Sequence, residues 1–236
     1  MTARSEPILK AISPAKKKAV PALCLYLLFA LCILVDGSAQ AQNVNPKDNQ
    51  IYKTQTRPDS FADADADFYG NAEHEFGFAV GAGFSAAGIG DTRPHDLAIA
   101  RIYYGRLLGG LKAGDHWYRG RWELAQELFG GGQIYPGSRY LIGETTVLRY
   151  NFINRTRWMP FVDAGAGVLA TDIGAPDLGS TFEFNEQAGP GIRFFWRKNL
   201  ALDFQYRFIH ISNAGLKEPN QGVNGHLFCA GVSWCF

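Results

Sequence analysis

His210 and Ser212 stand two residues apart near the end of the 236-residue chain, in the run Phe208-Ile209-His210-Ile211-Ser212-Asn213-Ala214-Gly215. An imidazole that takes the proton of a serine hydroxyl makes an oxygen nucleophile fit for acyl transfer. The same two residues could instead do no more than cap a turn. The element that carries them separates these readings. Leu202, Phe204, Tyr206 and Phe208 alternate with Asp203, Gln205 and Arg207, as side chains do when a strand sends every second one to the same side. Continuing the even register puts His210 and Ser212 on the apolar face. Asn224, at the start of the next strand, shares the parity of Phe228 and Trp234 and joins them there. Polar groups on an apolar face are costly unless they have polar partners or sit at an interface.

Eight strand-like segments follow Glu75, at about 75–88, 96–111, 117–130, 139–153, 158–172, 182–197, 199–212 and 223–236, each bounded by turn residues. The first sets Phe76, Phe78, Val80, Ala82 and Phe84 against Gly77, Ala79, Gly81, Gly83 and Ser85, large on one side and tiny on the other. The second is ambiguous in register, and the fourth is weakened where Glu144 breaks the apolar face. The opposite, polar faces carry Arg121, Glu123, Glu127, Asp163, Gln187, Arg193, Asp203, Gln205 and Arg207. Charges of both signs can pair inside an eight-stranded barrel, whose lumen is only wide enough for side chains. A lipocalin-type soluble barrel would reverse the two faces. The last segment ends in Phe236 with Phe228, Trp234 and Phe236 in one register, resembling the C-terminal assembly signal of bacterial outer-membrane proteins. The predicted fold is all-β: an eight-stranded antiparallel transmembrane β-barrel of the bacterial outer membrane, over residues 74–236.

Residues 1–41 read as a signal peptide. Lys10 and Lys16 to Lys18 precede an apolar run, and Ala39-Gln40-Ala41 is a small-x-small cleavage site. Its removal leaves 18 of the 23 basic and 20 of the 22 acidic residues, so no net charge draws the chain to nucleic acid. Residues 42–73 form a polar lead-in in which Asp63, Asp65 and Asp67 alternate with alanine. They lack the glycine turn and distal glutamate of a calcium loop, so no metal and no cofactor is expected. Cys229 and Cys235 share a strand face about 20 Å apart, beyond disulfide reach, and read as lumen fillers.

His210-x-Ser212-Asn213-Ala214-Gly215 followed by Pro219-Asn220-x-Gly222, at the last hairpin of a small barrel, resembles the PagL family of lipid A 3-O-deacylases. The likeness covers about 190–236 and extends more loosely back to Phe161. It implies an outer-membrane esterase that removes the 3-linked acyl chain of lipid A. Ser212 would be the nucleophile and His210 the general base, with the Asn213 side chain and the Gly215 amide as oxyanion donors. The family's acidic residue falls by spacing at Asn224, which can orient an imidazole but cannot balance its charge. Glu218 in the loop is an alternative partner, and His226 lies a residue pair deeper. Asn220 is read as shaping the loop. The implied partners are the membrane and lipid A or lipopolysaccharide in the outer leaflet, and a homodimer is compatible with the pattern. The contrasting reading is a catalytically weak or inactive barrel with a structural or adhesive role. An intramembrane acyltransferase would need an apolar lumenal pocket, which the charged faces leave little room for.

Overall fold

A computed structural model describes residue 69 and residues 72–86, 93–113, 116–154 and 156–236. The expected signal peptide over residues 1–41, most of the polar lead-in and Asp63, Asp65 and Asp67 lie outside the described residues. Eight strands form a closed antiparallel barrel in chain order: β1 (His74–Ser85), β2 (Asp96–Lys112), β3 (Gly120–Tyr135), β4 (Arg139–Phe152), β5 (Trp158–Thr171), β6 (Phe182–Arg197), β7 (Leu200–Ser212) and β8 (Val223–Cys235). Closure runs from Glu75 opposite Cys235 to Ser85 opposite Gly225, so neither terminal strand is left with an unpaired edge.

The barrel is inside-out. Phe76, Phe78, Val80, Phe84, Phe204, Phe228, Val232 and Trp234 are exposed on the outer wall, while every residue of the predicted polar faces is buried in the lumen. This suits a wall solvated by lipid, where backbone groups must be paired within the sheet and apolar side chains face out. At the barrel end that holds His74 and Phe236, Trp234 stacks on Phe236 at 4.7 Å, Trp158 packs against Phe194 at 4.6 Å and Trp122 against Tyr150 at 4.8 Å. These pairs form an aromatic girdle of the kind that marks a membrane interface.

The strand with ambiguous register resolves in favour of its odd residues. Arg101 and Tyr103 point into the lumen, while Ile102, Tyr104 and Arg106 face out. Tyr103 hides the signal because it is a large ring on a lumenal face. Gly77 opposite makes room for it: a Cβ there would lie 2.2 Å from the Tyr103 ring. The break at Glu144 is real and lies on the outer wall. The Gln126 side chain donates to its carboxylate and accepts from the Thr146 hydroxyl at 2.8 Å. A polar knot on a lipid-facing wall is tolerated when its members satisfy one another.

The lumen is layered. At mid-height Arg101, Arg149, Arg193 and Arg207 interleave with Glu75, Glu123, Glu127, Asp163 and Asp203. Arg193 pairs with Glu75 and, at 2.7 Å, with Asp203; Arg207 reaches Glu127 at 2.6 Å and Asp163 at 2.9 Å. Arg149 lies over the Phe161 ring at 4.5 Å. Apolar plugs close both ends. At the end that holds His74 and Phe236, Tyr69, Ala72, Leu107, Ile153, Met159 and Phe195 pack together. The end of the lead-in is therefore built into the barrel, with the Tyr69 ring 5.7 Å from that of Phe195. At the opposite end Leu97, Phe129, Leu141, Leu169, Leu178, Ile209, Ile211, Val223 and Leu227 form the second plug. Cys229 and Cys235 are free, buried lumenal thiols, as their spacing requires.

Candidate functional site

The second plug underlies the stretch that carries His210 and Ser212. Ile209 and Ile211 point into it from β7, and Val223 from β8, which anchors the strands and sends the intervening side chains to the outer wall. His210 lies opposite Asn224 on β8 and opposite Glu186 on β6, and Ser212 lies opposite Phe184. The site therefore sits at the barrel end opposite His74 and Phe236.

The imidazole is oriented. His210 Nδ1 and Asn224 Oδ1 are 2.6 Å apart. An amide oxygen can only accept, so Nδ1 is the donor, and a neutral ring in this pose carries its lone pair on Nε2. That is the tautomer a general base needs. The site is less open to the bilayer than its outward parity implies: His210 and Ser212 are each 9% exposed and Asn224 only 1%. The neighbouring strands and a docked loop enclose it.

That loop, residues 213–222, is held by residues outside the motif. Asp177 O accepts from the Gln221 amide at 2.9 Å and from the Gly222 amide at 3.2 Å, and Leu178 bridges to Asn220. His95 is buried beside Asp177, with Nε2 at 3.5 Å from its carboxylate. Within the loop Asn213 is fully buried. Its Oδ1 accepts from the Gly215 amide at 3.0 Å, and its Nδ2 donates to the Lys217 carbonyl at 2.8 Å. Asn220 Oδ1 accepts from the Asn213 amide at 3.0 Å, in keeping with a loop-shaping role. Glu218 is exposed on the loop. His226 is engaged elsewhere, with Nδ1 at 2.9 Å from the Tyr206 hydroxyl.

Gly222 fits both by conformation and by space. Its φ is +85°, and a Cβ there would lie 2.9 Å from His210 Cε1. Gly222→Ala is expected to push the imidazole off Asn224 and to lower kcat about 10-fold, since small misplacements of a catalytic group are costly. Steady-state kinetics on refolded protein, with folding confirmed by heat-modifiable gel mobility, checks this.

Sequence reasoning passed over Glu186 and the 172–181 segment. The signal for Glu186 was present: it shares the parity of Ala188, Ile192 and Phe194, so a carboxylate was due on the outer wall. Nothing local marked residues 172–181, because their contacts with 213–222 are purely tertiary.

Fold and site together define a small outer-membrane barrel that presents a histidine and a serine on its outer wall. The chain belongs to the lipid A 3-O-deacylase (PagL) family, whose model matches residues 98–233. It is 33% identical over 110 residues to lipid A deacylase PagL of Pseudomonas aeruginosa, a match spanning 45% of this chain and 60% of that relative's length. It is 30% identical over 144 residues to lipid A deacylase PagL of Bordetella bronchiseptica, covering 58% of this chain and 74% of that one. Among solved structures, the outer-membrane enzyme PagL aligns with a TM-score of 0.49 at 24% identity, over 66% of this chain and 97% of that one. Neisserial surface protein A aligns with a TM-score of 0.48 at 17% identity, over 69% and 97%.

Proposed function

We propose that the chain is an esterase that removes the ester-linked acyl chain at the 3-position of lipid A, working at the outer-leaflet rim of the barrel. The observation that carries this reading is the 2.6 Å contact of His210 Nδ1 with Asn224, on the outer wall and two residues from Ser212. It supports an imidazole held with Nε2 free for the serine. Ser212 Oγ attacks the ester carbonyl carbon as His210 Nε2 takes its proton. The tetrahedral oxyanion collapses, and His210 returns the proton to the departing sugar 3-oxygen. Water, deprotonated by His210, then attacks the acyl-serine and frees the fatty acid. Asn213 and Gly215 are the proposed oxyanion donors. In the resting loop the Gly215 amide is bound to Asn213 Oδ1 and Asn213 Nδ2 to Lys217, so the developing oxyanion has to draw them from those partners.

A substrate set in the outer leaflet suits a site on the lipid-facing wall. Below the site lies an apolar hollow of that wall, bounded by Val80, Ala82, Pro190, Ile192, Phe204 and Phe228, which offers a bed for acyl chains. Asn224 takes the place where the family's pattern has a carboxylate. It orients the base without adding charge. The family assignment favours this reading over a purely structural or adhesive barrel.

Mass spectrometry of lipid A from cells with and without the protein tests it. The protein is expected to shift lipid A down by one 3-hydroxyacyl group. Identical spectra would end the reading.

A further inference from the structure

A serine esterase passes through an imidazolium, and here the imidazole is nine-tenths buried on a wall that faces lipid. Such a charge is costly to form without a counter-charge nearby. Asn224 supplies a dipole only. From β8 the other titratable group near His210 is His226, one pair deeper and bound to Tyr206. The adjoining loop brings Gly222 against the ring, and its Glu218 is exposed. From β6 the residue directly opposite is Glu186. Directly opposed residues of antiparallel strands hold their Cβ atoms about 4.5–5.5 Å apart, within side-chain reach.

Glu186 has little else to serve. Its other cross-strand neighbour is Ala166 on β5, and its flanking outward residues are Phe184 and Ala188. Its Oε2 is buried and, among the described residues, has no hydrogen-bond partner. The arginines nearest in sequence and register, Arg193 and Arg207, point into the lumen and form ion pairs there with Glu75, Asp203, Glu127 and Asp163. A buried, unpartnered carboxylate oxygen on an apolar wall, one strand from the proposed base, is an expensive arrangement with one evident use.

We propose that Glu186 is the carboxylate partner of His210, supplying from β6 the negative charge that Asn224 on β8 lacks. The two strands flanking the base thus divide what one residue does in a Ser-His-acid triad: Asn224 fixes the ring and its tautomer, and Glu186 balances the charge that forms on it. Glu186 is a positioning and electrostatic residue that acts through His210 and need not touch substrate. The inference rests on the esterase reading above.

The test uses the full refolded chain and purified lipopolysaccharide in detergent micelles, with release of 3-hydroxy fatty acid as the readout. Glu186→Gln is expected to lower kcat about 100-fold with KM within about 2-fold, in line with the loss of one preorganised electrostatic group. Glu186→Asp should keep most of the rate. Adding Asn224→Glu to Glu186→Gln should restore turnover at least 10-fold, because the charge then comes from the other side of the ring. A merely structural role for Glu186 would not be rescued from a different strand. A Glu186→Gln protein with wild-type kcat beside an inactive Ser212→Ala, or a double variant no faster than Glu186→Gln, would overturn the inference and leave the esterase reading standing. A wild-type protein that releases no more acid than Ser212→Ala would remove the esterase reading itself, and the inference with it.

Discussion

Ser212→Ala and His210→Ala are each expected to reduce acyl release from lipopolysaccharide by about 10⁴-fold or more, and the double variant should be no slower than either single one. Groups that act as a unit are non-additive: once the nucleophile is gone the base has no proton to take, and once the base is gone the hydroxyl stays a weak nucleophile. Neither change should disturb folding. Ser212 is the last residue of β7, and the inward neighbours Ile209 and Ile211 keep the strand seated on its plug. Measuring kcat for the three variants, with gel mobility to show that each is folded, gives the result directly. Additive losses would show that the two residues do not share a step. A fully active Ser212→Ala protein would leave the site without a nucleophile.

Arg193→Leu is expected to destabilise the barrel by about 3–5 kcal/mol, the range found when one member of a buried ion pair is removed. The guanidinium is fully buried. Its Nε donates to Asp203 at 2.7 Å, and its Nη1 donates to Glu75 at 2.7 Å and to the Tyr69 hydroxyl at 3.0 Å. Leucine would leave both carboxylates buried without their nearest counter-charge, Glu75 keeping Arg149 at 3.6 Å and Asp203 keeping the Tyr103 hydroxyl at 2.8 Å. Adding Glu75→Gln and Asp203→Asn to Arg193→Leu should recover part of the loss, since the penalty lies in the stranded charges more than in the missing attraction. Urea unfolding in detergent, followed by tryptophan fluorescence, measures both. A single variant as stable as wild type would mean that Arg193 contributes packing and no compensation of charge.

Most of the barrel was legible because two solvents imprint opposite preferences on alternate residues. The wall needs Phe76, Phe78 and Val80 outward. The narrow lumen needs glycine or alanine where a ring such as Tyr103 or Phe161 crosses, and paired charges elsewhere. The strand limits expected at about 139–153, 182–197 and 223–236 needed almost no change. Parity failed where a lumenal residue is itself large and apolar, as at Tyr103, and where a polar residue is satisfied on the outer wall, as at Glu144. The site was half legible. The motif and parity brought His210, Ser212 and Asn224 to one face, and the hydrogen bond from His210 to Asn224 follows from that. The enclosure of the pair was not legible, because it depends on Asp177 and Leu178 receiving residues more than 40 positions later. Glu186 shares its face with Ala188, Ile192, Phe194 and Trp196 but stands one step before the first of them, outside that run.

The stacked filling of the barrel, with an apolar stopper at each end of a charged mid-section, has a consequence for the cell that carries it. Arg149, Arg193 and Arg207 are each no more than 1% exposed, so hydrated ions have no continuous water column to follow. Abundant production of this protein should leave the permeability barrier intact. Planar bilayers containing it should show no unitary conductance, and small hydrophilic antibiotics should enter such cells no faster than before.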